Sequence, residues 1–580
     1  MAVKLDVQLY PNEARADTVG SYVLQNRTDQ PLARVHIRWT RPLRMLEIDL
    51  GSATLEEDYK EFNYRIYRLG TPLAPGEQRI VRFKTRLEQR GFPNSKPLTR
   101  IVGNGTFINN LEISPLLGMS RDFLLKDRNK RRHYGLPADL RPPKLEDRDA
   151  DANNYLRHDS DWVNAQISVT TDADQTPLAP GYTVSDQVHD GRRTLVTQTE
   201  APILNFFSIQ SARYAIARDV WKGKDARKVD LAVYYFPAHD HNVPRILTAM
   251  KASLDLFAER FSPYQFRQAR ILEFPAYERF AQSFANTIPF SEAIGFIQNF
   301  DDSHPEHGVD LVTFVTAHEM AHQWWAHQVI GADKQGDTML SETFAQYSAL
   351  LVMEKLYGRE HIRKFLKNEL DEYLRDRGTE VVEELPLERV EDQPYIHYRK
   401  GAVAMYWLKE IVGEEAVDHA LQKLLARYAF KPAPYPSTTD FLALLRAEAG
   451  PANEQVISDL FERITLYDMK ASGAVAHKRT DGHYEVRFTV EGRKLYADGL
   501  GHESEVPLDE LFDVGAFTIE PGKEGYSRSA VLSLQRLAVK SGKQTVTLVL
   551  DEVPKLVGID PFNERIDRNS DDNLTSVKLE

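Results

Sequence analysis

The pattern Thr316-Ala-His-Glu-Met-Ala-His322 constrains this chain more than any other stretch. On an α-helix, residues four apart lie about 40° from each other around the axis, so His318 and His322 face the same point. Two such histidines supply two of the three protein ligands of a hydrolytic zinc site. Glu319 can take a proton from a water at the metal without being a ligand. The pattern therefore predicts a zinc site on a helix.

A second helix is predicted to bring the third ligand, Glu342. Its start lies near Asp337 or Thr338, which are plausible caps, and a turn containing Gly331 and Gly336 separates it from the first helix. Two histidines and one glutamate, with one open position, form the ligand set of thermolysin-type sites. The apolar positions that recur at helical spacing on this segment are Leu340, Phe344, Tyr347 and Leu351.

These residues carry a resemblance to a known family. The runs His-Gln-Trp-Trp-Ala at 322–326 and Glu-Thr-Phe-Ala at 342–345 resemble the sequences around the metal ligands of the M1 (gluzincin) zinc aminopeptidases. The spacing from His322 to Glu342 is one residue longer than is usual in that family, which a change in the inter-helix turn can absorb. With Met-Leu-Ser-Glu-Thr at 339–343, the chain most resembles the M1-like domain fused to bacterial ABC-2 type permeases.

The resemblance implies a second catalytic residue, Tyr398. Family members have a tyrosine two residues before a Lys-Gly pair, and Tyr398 precedes Lys400-Gly401 in this way. Its phenol would donate a hydrogen bond to the oxyanion of the transition state. Tyr395 is the local competitor for that role.

The resemblance also implies that Glu292 binds the substrate. The family places a Gly-x-Met-Glu-Asn strand against the substrate, and the glutamate of that strand pairs with the free α-amine. Glu292 takes its position here, while Pro289, Ser291 and Ala293 replace the glycine, methionine and asparagine. A lone carboxylate in so apolar a stretch is costly to bury unless a cation meets it.

Two further histidines are not predicted to bind zinc. His327 follows His318 by nine residues, which is about 180° around a continuous helix, so it is expected to point away from the metal. His397 is expected at most to line the cleft.

The order of strand and helix patterns predicts a multidomain α+β protein. Residues 1–210 read as an antiparallel β domain, residues 211–468 as a thermolysin-like, mostly helical catalytic domain, and residues 469–580 as a small β-sandwich. A charged excursion at 119–155 interrupts the first domain. We interpret it as a solvated surface loop and assign it no site.

Composition excludes several classes of function. The chain has no cysteine, which rules out a cysteine nucleophile or a thiolate metal site, and its net charge of −12 argues against nucleic acid as a partner. It has no run of eighteen apolar residues and opens in a strand-like alternation rather than a signal peptide. We therefore expect either a cytoplasmic protein or a soluble domain excised from a membrane protein.

Together, the residues and the resemblance predict an enzyme that binds one Zn²⁺ and removes N-terminal residues from peptides. Two alternatives stay open. The same metal could serve an endopeptidase, in which Glu292 selects no N-terminus. The chain could also be a non-catalytic, regulatory extracytoplasmic domain of a transporter, although such a domain has no chemical need for Glu319.

Overall fold

The computed structural model describes residues 2–89, 100–301, 303 and 308–580. Strands dominate the first region, a mixed sheet and most of the helices form the second, and strands form the third. The strands of the first region are β1 (Ala2–Tyr10), β2 (Arg15–Gln25), β3 (Leu32–Arg38), β4 (Leu43–Asp49), β5 (Ala53–Tyr59), β6 (Tyr64–Leu73), β7 (Gln78–Glu88), β8 (Thr106–Asn109), β9 (Leu116–Leu117), β10 (Trp162–Asp172), β11 (Thr176–Leu178), β12 (Tyr182–His189), β13 (Arg192–Gln198), β14 (Ile203–Leu204) and β15 (Ser208–Ala212), with short helices α1 (Asn110–Ile113) and α2 (Arg128–His133).

Alternating side chains build the first region. In β1, Val3, Leu5, Val7 and Leu9 are buried while the residues between them are more exposed, as expected of a strand with one face on a core. Among the described residues, the largest sheet runs in the order β12-β13-β10-β1-β2-β7-β4, with smaller sheets β5-β6-β3-β9 and β11-β15-β8 beside it. The predicted N-terminal β-rich domain is confirmed.

The middle region combines one sheet with the helices that hold the candidate site. Its sheet runs β16-β17-β18-β19, in which β17, β18 and β19 are parallel. The strands are β16 (Ala215–Lys222), β17 (Lys228–Tyr235), β18 (Gln268–Phe274) and β19 (Thr287–Ser291); the helices are α3 (Val243–Arg260), α4 (Leu311–Ala321), α5 (Phe344–Tyr357), α6 (Ile362–Arg377), α7 (Gly401–Val412), α8 (Glu414–Tyr428), α9 (Thr438–Ala449) and α10 (Glu454–Ile457).

An extended segment, residues 280–284, continues this sheet past β19 and is called the edge segment below. Gln282 N–H donates to Pro289 O at 3.1 Å, and Phe284 N–H donates to Thr287 O at 2.9 Å. Ser291 N–H donates to Phe280 O at 3.1 Å. The segment is therefore antiparallel to β19 and forms the outer border of the sheet.

The turn between α4 and α5 depends on one glycine. Gly336 has φ +84°, and a Cβ built there would lie 2.3 Å from Glu388 O, so only glycine fits. The turn ends in a π-helical stretch, Met339–Thr343, which runs directly into α5. Helices α4 and α5 thus form the predicted pair, with the glutamate of interest in the π-helical stretch before α5.

The third region is a two-sheet β domain, as predicted. Its sheets run β22-β21-β20-β28, with β25 beside β21, and β24-β23-β26-β27. The strands are β20 (Ile464–Lys478), β21 (Tyr484–Ala497), β22 (Glu503–Val506), β23 (Asp509–Phe517), β24 (Val531–Lys540), β25 (Gly542–Leu550), β26 (Leu556–Ile559), β27 (Leu574–Ser576) and β28 (Lys578–Leu579). The predicted domain limits at 210 and 468 stay a proposal. None of the helices in the described part of the chain is long and apolar enough to cross a membrane.

The charged excursion at 119–155 is only in part the solvated loop that we expected. Arg121 is 3.1 Å from Asp333 and 3.4 Å from Asp337 in the turn between α4 and α5. Lys334 Nζ donates to Asp147 O at 2.8 Å. The excursion therefore covers that turn, because its charges find partners there that no local sequence pattern shows.

Candidate metal centre

Helix α4 places its reactive residues at its C-terminal end. Asp310 caps its start, with Oδ1 accepting the Thr313 N–H at 3.0 Å. His318 and Glu319 lie in the last turn, and His322 follows directly after the helix ends. Most of the helix is buried, so these three polar side chains lie in an apolar setting that excludes bulk water.

Three ligand atoms converge at this point. His318 Nε2 and His322 Nε2 are 3.0 Å apart, and Glu342 Oε2 lies 3.3 Å from each of them. The structure therefore brings together the three residues that the sequence predicted as metal ligands, in a closed triangle of nitrogen and oxygen atoms.

The triangle fits a zinc ion. Glu342 Oε2 is buried and lies close to both imidazoles, but it makes no hydrogen bond with a described group. His322 Nδ1–H donates to Trp325 O at 3.0 Å, which leaves the lone pair of Nε2 for a metal. Burial raises the pKa of Glu342, but the two histidines outweigh burial and hold that pKa well below its usual range. An ionised carboxylate and two imidazoles are donors that zinc prefers.

Glu319 lies beside this triangle and lines the same cavity. The residue is 6% exposed, and Oε2 has no hydrogen-bond partner among the described groups. Burial raises the pKa of Glu319 to about 7, although the nearby His322 lowers it. A carboxyl group with a pKa near neutrality is suited to accept and return a proton.

The structure distinguishes the two candidate tyrosines. Both lie on the π-helical turn Tyr395–Lys400. The ring of Tyr398 is centred 5.8 Å from that of His318 and lines the same cavity as the triangle. Burial and the charge of Glu342 raise the pKa of Tyr398 well above its usual value, so its phenol keeps its proton. Tyr395 instead stacks on Tyr373, with ring centroids 6.0 Å apart.

The structure does not bring Glu292 to the triangle. Its Oε1 accepts the Ala276 N–H at 3.0 Å, and its Oε2 lies 4.0 Å from Nδ1 of His239, which also pairs with the buried Glu273. Residues 281–283 of the edge segment line the metal cavity in its place. The hairpin of the edge segment and β19 thus brings residues 281–283, and not Glu292, to the cavity beside the triangle.

Several residues of this cavity could not be predicted from the sequence. Its apolar wall consists of Tyr155, Leu156 and Phe206, which come from the first region of the chain. Tyr155 is held there by its backbone N–H, which donates to Gly331 O at 3.2 Å. No sequence signal identifies these residues, because their contact with α4 is made only in the folded chain.

Of the two histidines not predicted to bind zinc, His327 lies at the cavity beside the triangle, and the ring of His397 is centred 4.5 Å from that of Tyr398. Helix α4 ends before His327, so the expectation that it points away from the metal was wrong: it lines the cavity, and its Nε2–H donates to Ser283 O at 3.1 Å. Burial lowers the pKa of His327 and of His397 to about 4. Neither residue is part of the ligand triangle.

Two cavities meet at the reactive groups. The smaller, of ≈160 Å³, has the apolar wall and the edge segment; the larger, of ≈370 Å³, lies between α4, α6 and the stretch after Tyr398. Both are lined by His318, Glu319 and Tyr398. The two cavities therefore share these three residues and differ in the rest of their lining.

Comparison with known proteins agrees with this geometry. Residues 246–463, which include the whole triangle, match the model of the Peptidase family M1 domain. The matched residues are similar to that family's peptidase domain, and they include His318, His322 and Glu342.

Curated relatives are similar over part of their length. Aminopeptidase M1 of Arabidopsis thaliana is 27% identical over 254 residues, which are 41% of this chain and 27% of that protein. Probable aminopeptidase 2 of Sulfurisphaera tokodaii is 22% identical over 369 residues, 61% of this chain and 44% of that protein. The match therefore spans less than half of the length of either relative.

Solved structures share the fold. An M1 zinc metallopeptidase from Deinococcus radiodurans superposes with a TM-score of 0.55 at 18% identity, covering 80% of this chain and 93% of that chain. This similarity confirms the fold class predicted from the sequence, in which β-rich regions flank a helical middle region.

Proposed function

We propose that the chain is a zinc-dependent aminopeptidase. The observation that supports this most strongly is the triangle of His318, His322 and Glu342, whose ligand atoms are 3.0–3.3 Å apart. Glu319 and Tyr398 line the same two cavities. The curated relatives named above are aminopeptidases, which supports the same class of reaction.

His318, His322 and Glu342 would hold one zinc ion. When bound, zinc supplies Lewis acidity, which polarises the substrate carbonyl and makes water a stronger acid. The chain contributes a site from which bulk water is excluded, since the three residues lie among buried apolar side chains. Such a setting strengthens each electrostatic contact with the substrate.

Glu319 would move the proton. It accepts a proton from the attacking water and returns it to the nitrogen of the leaving amine, so one residue acts as base and then as acid. The buried carboxyl, with its pKa of about 7, can hold either state near neutral pH.

Tyr398 would stabilise the oxyanion. Its phenol is protonated at neutral pH, because burial and Glu342 raise its pKa. A neutral O–H donor can form a hydrogen bond that strengthens as charge develops on the carbonyl oxygen.

The smaller cavity would take the N-terminal residue. Its apolar wall of Tyr155, Leu156 and Phe206 favours an apolar side chain, and its ≈160 Å³ leaves space for little beyond one residue. The side-chain amide oxygen of Gln282, which makes no hydrogen bond to another described group, would accept the α-amine there. The two carboxylates of the cavity would serve the metal and the proton transfer.

An endopeptidase is the second candidate, and one observation favours it. The carboxylates among the described residues that line the two cavities are Glu319, Glu342 and Glu369. The first two belong to the reaction, and Glu369 is already bonded to Arg399 at 2.9 Å and to Gln346 at 3.0 Å. None of the described residues that line the two cavities therefore offers a spare carboxylate to fix a free N-terminus.

The other sequence-based hypotheses stay open. The regulatory-domain alternative, the resemblance to permease-fused domains and the location of the protein depend on partners or flanking sequence that the comparisons above do not address. Peptides with a free N-terminus are the partners that we propose.

Free-amine and N-acetylated aminoacyl anilides, offered to zinc-loaded protein, test the proposal. Turnover confined to the free amines is the expected result. Turnover of acetylated substrates at similar rates would establish an endopeptidase. If zinc is bound and neither set of substrates is turned over, a non-catalytic role would be favoured.

A further inference from the structure

The larger cavity contains one cationic side chain without an ion-pair partner. Among the described residues that line it, the charged groups apart from Glu319 are Arg279, Glu369 and Arg399. Arg399 is bonded to Glu369 at 2.9 Å and lies 3.8 Å from Glu372, so these charges offset each other. Arg279 is exposed, and no described carboxylate lies within ion-pair distance of it. The cavity therefore presents one free guanidinium.

The backbone fixes where that guanidinium starts. Arg279 comes directly before the edge segment, and Phe280 O accepts the Ser291 N–H at 3.1 Å. On the other side, Glu278 O accepts the Ser291 hydroxyl at 2.7 Å. Two bonds from one residue of β19 thus hold the backbone on both sides of Arg279. A long side chain on a fixed backbone can present its charge to the cavity at a defined place.

The edge segment leads from one cavity to the other. Residues 281–283 line the smaller cavity, whereas Arg279, two residues earlier, lines the larger one. A peptide that lies along this segment with its N-terminal residue in the smaller cavity has its leaving-group side next to Arg279.

We propose, as an extension of the proposed peptidase function, that Arg279 selects substrates with a carboxylate one or two residues beyond the cleaved bond. Arginine binds carboxylates through two parallel N–H donors, which gives direction as well as charge. The carboxylate has two sources: the C-terminus of a dipeptide, or the side chain of an acidic residue after the cleaved bond.

Four peptides separate these sources: Leu-Ala, Leu-Ala-amide, Leu-Glu-Ala-amide and Leu-Gln-Ala-amide. We expect the wild type to prefer at least one carboxylate peptide over its amide partner by about five- to tenfold in kcat/KM. Preference within the first pair identifies short peptides, and preference within the second identifies acidic side chains. Arg279→Gln should remove the preference and leave turnover of the neutral peptides unchanged.

Arg218→Gln is the matched control, because Arg218 is exposed on β16, at the opposite border of the same sheet. It should keep the wild-type preference. Equal kcat/KM within both pairs for the wild type, or a preference that survives Arg279→Gln, would overturn the proposal while the peptidase function stands.

A lack of turnover of all four peptides would instead contradict the peptidase function. Calorimetric titration of zinc-loaded protein with the same peptides then decides the role of Arg279. Tighter binding of the carboxylate peptides that is lost in Arg279→Gln supports it, and equal dissociation constants within both pairs overturn it.

Discussion

The side-chain amide of Gln323 donates a hydrogen bond of 2.6 Å to the hydroxyl of Ser283. The same amide donates to Phe284 O at 2.9 Å, and its oxygen accepts the Asn286 N–H at 2.9 Å. Gln323 follows His322 directly, so the residue beside one member of the ligand triangle also holds the edge segment. This buried side chain therefore ties the edge segment to the chain directly after His322.

Gln323→Ala should lower both stability and activity. It removes these three bonds and leaves buried partners unpaired, which costs about 1–3 kcal/mol for each buried group that finds no water. We expect the free energy of unfolding in urea to fall by a few kcal/mol and kcat/KM to fall with it. Gln187→Ala, on the exposed strand β12, should change neither. Unaltered activity in Gln323→Ala would show that the edge segment keeps its place without this contact.

Tyr398→Phe should lower kcat by about 10²–10³, the usual loss for one oxyanion donor, while zinc content stays unchanged. Tyr395→Phe is the control, since that ring stacks on Tyr373 and does not line either cavity. Steady-state kinetics on a leucine anilide measure both variants. A near wild-type kcat for Tyr398→Phe would remove this phenol from the mechanism.

Glu292→Gln should leave KM and kcat for the same anilide close to wild type. The carboxylate accepts the Ala276 N–H and lies 4.0 Å from His239 rather than in the metal cavity. If KM for free-amine substrates rose strongly in this variant, the amine-binding role implied by the family resemblance would hold after all.

The grouping of His318, His322 and Glu342 could be predicted from sequence because the information is local. Two histidines one helical turn apart and a glutamate at the start of the next helix share a short stretch, and helical periodicity places them. The wall residue Tyr155 and the strand residue Ser283 could not be predicted, since they meet α4 only through the packing of distant segments. The position of Glu292 likewise depends on the hairpin of the edge segment and β19, which short patterns do not reveal, and its role in substrate binding stays a prediction.

Stability should fall as pH rises, with Glu564 as one cause. Burial, with the nearby Asp560, raises the pKa of Glu564 to about 8. This folded-state pKa exceeds the pKa of a glutamate in the unfolded chain, which is about 4.3. The contribution of Glu564 to stability is therefore fully present below about pH 4.3 and is lost as pH rises through about 8. The melting temperature should therefore drop between pH 5 and pH 8.5.

Glu564→Gln should weaken that pH dependence. At pH 8.5 we expect it to gain up to a few kcal/mol over the wild type, whereas the gain at pH 5 should be much smaller. Thermal unfolding at both pH values measures the difference. Glu552→Gln, an exposed position in the same domain, should follow the wild type. A parallel pH dependence in Glu564→Gln and the wild type would contradict this assignment.

Restoring activity to metal-free protein tests the central claim most directly. The protein is stripped with a chelator, and the rate of leucine anilide hydrolysis is measured as zinc is added. We predict no turnover without metal and a rate that rises to a plateau at one zinc per chain. Glu342→Gln should show no such rise in rate when zinc is added. Turnover that does not depend on zinc, or none at one bound zinc per chain, would contradict a zinc aminopeptidase built on His318, His322 and Glu342.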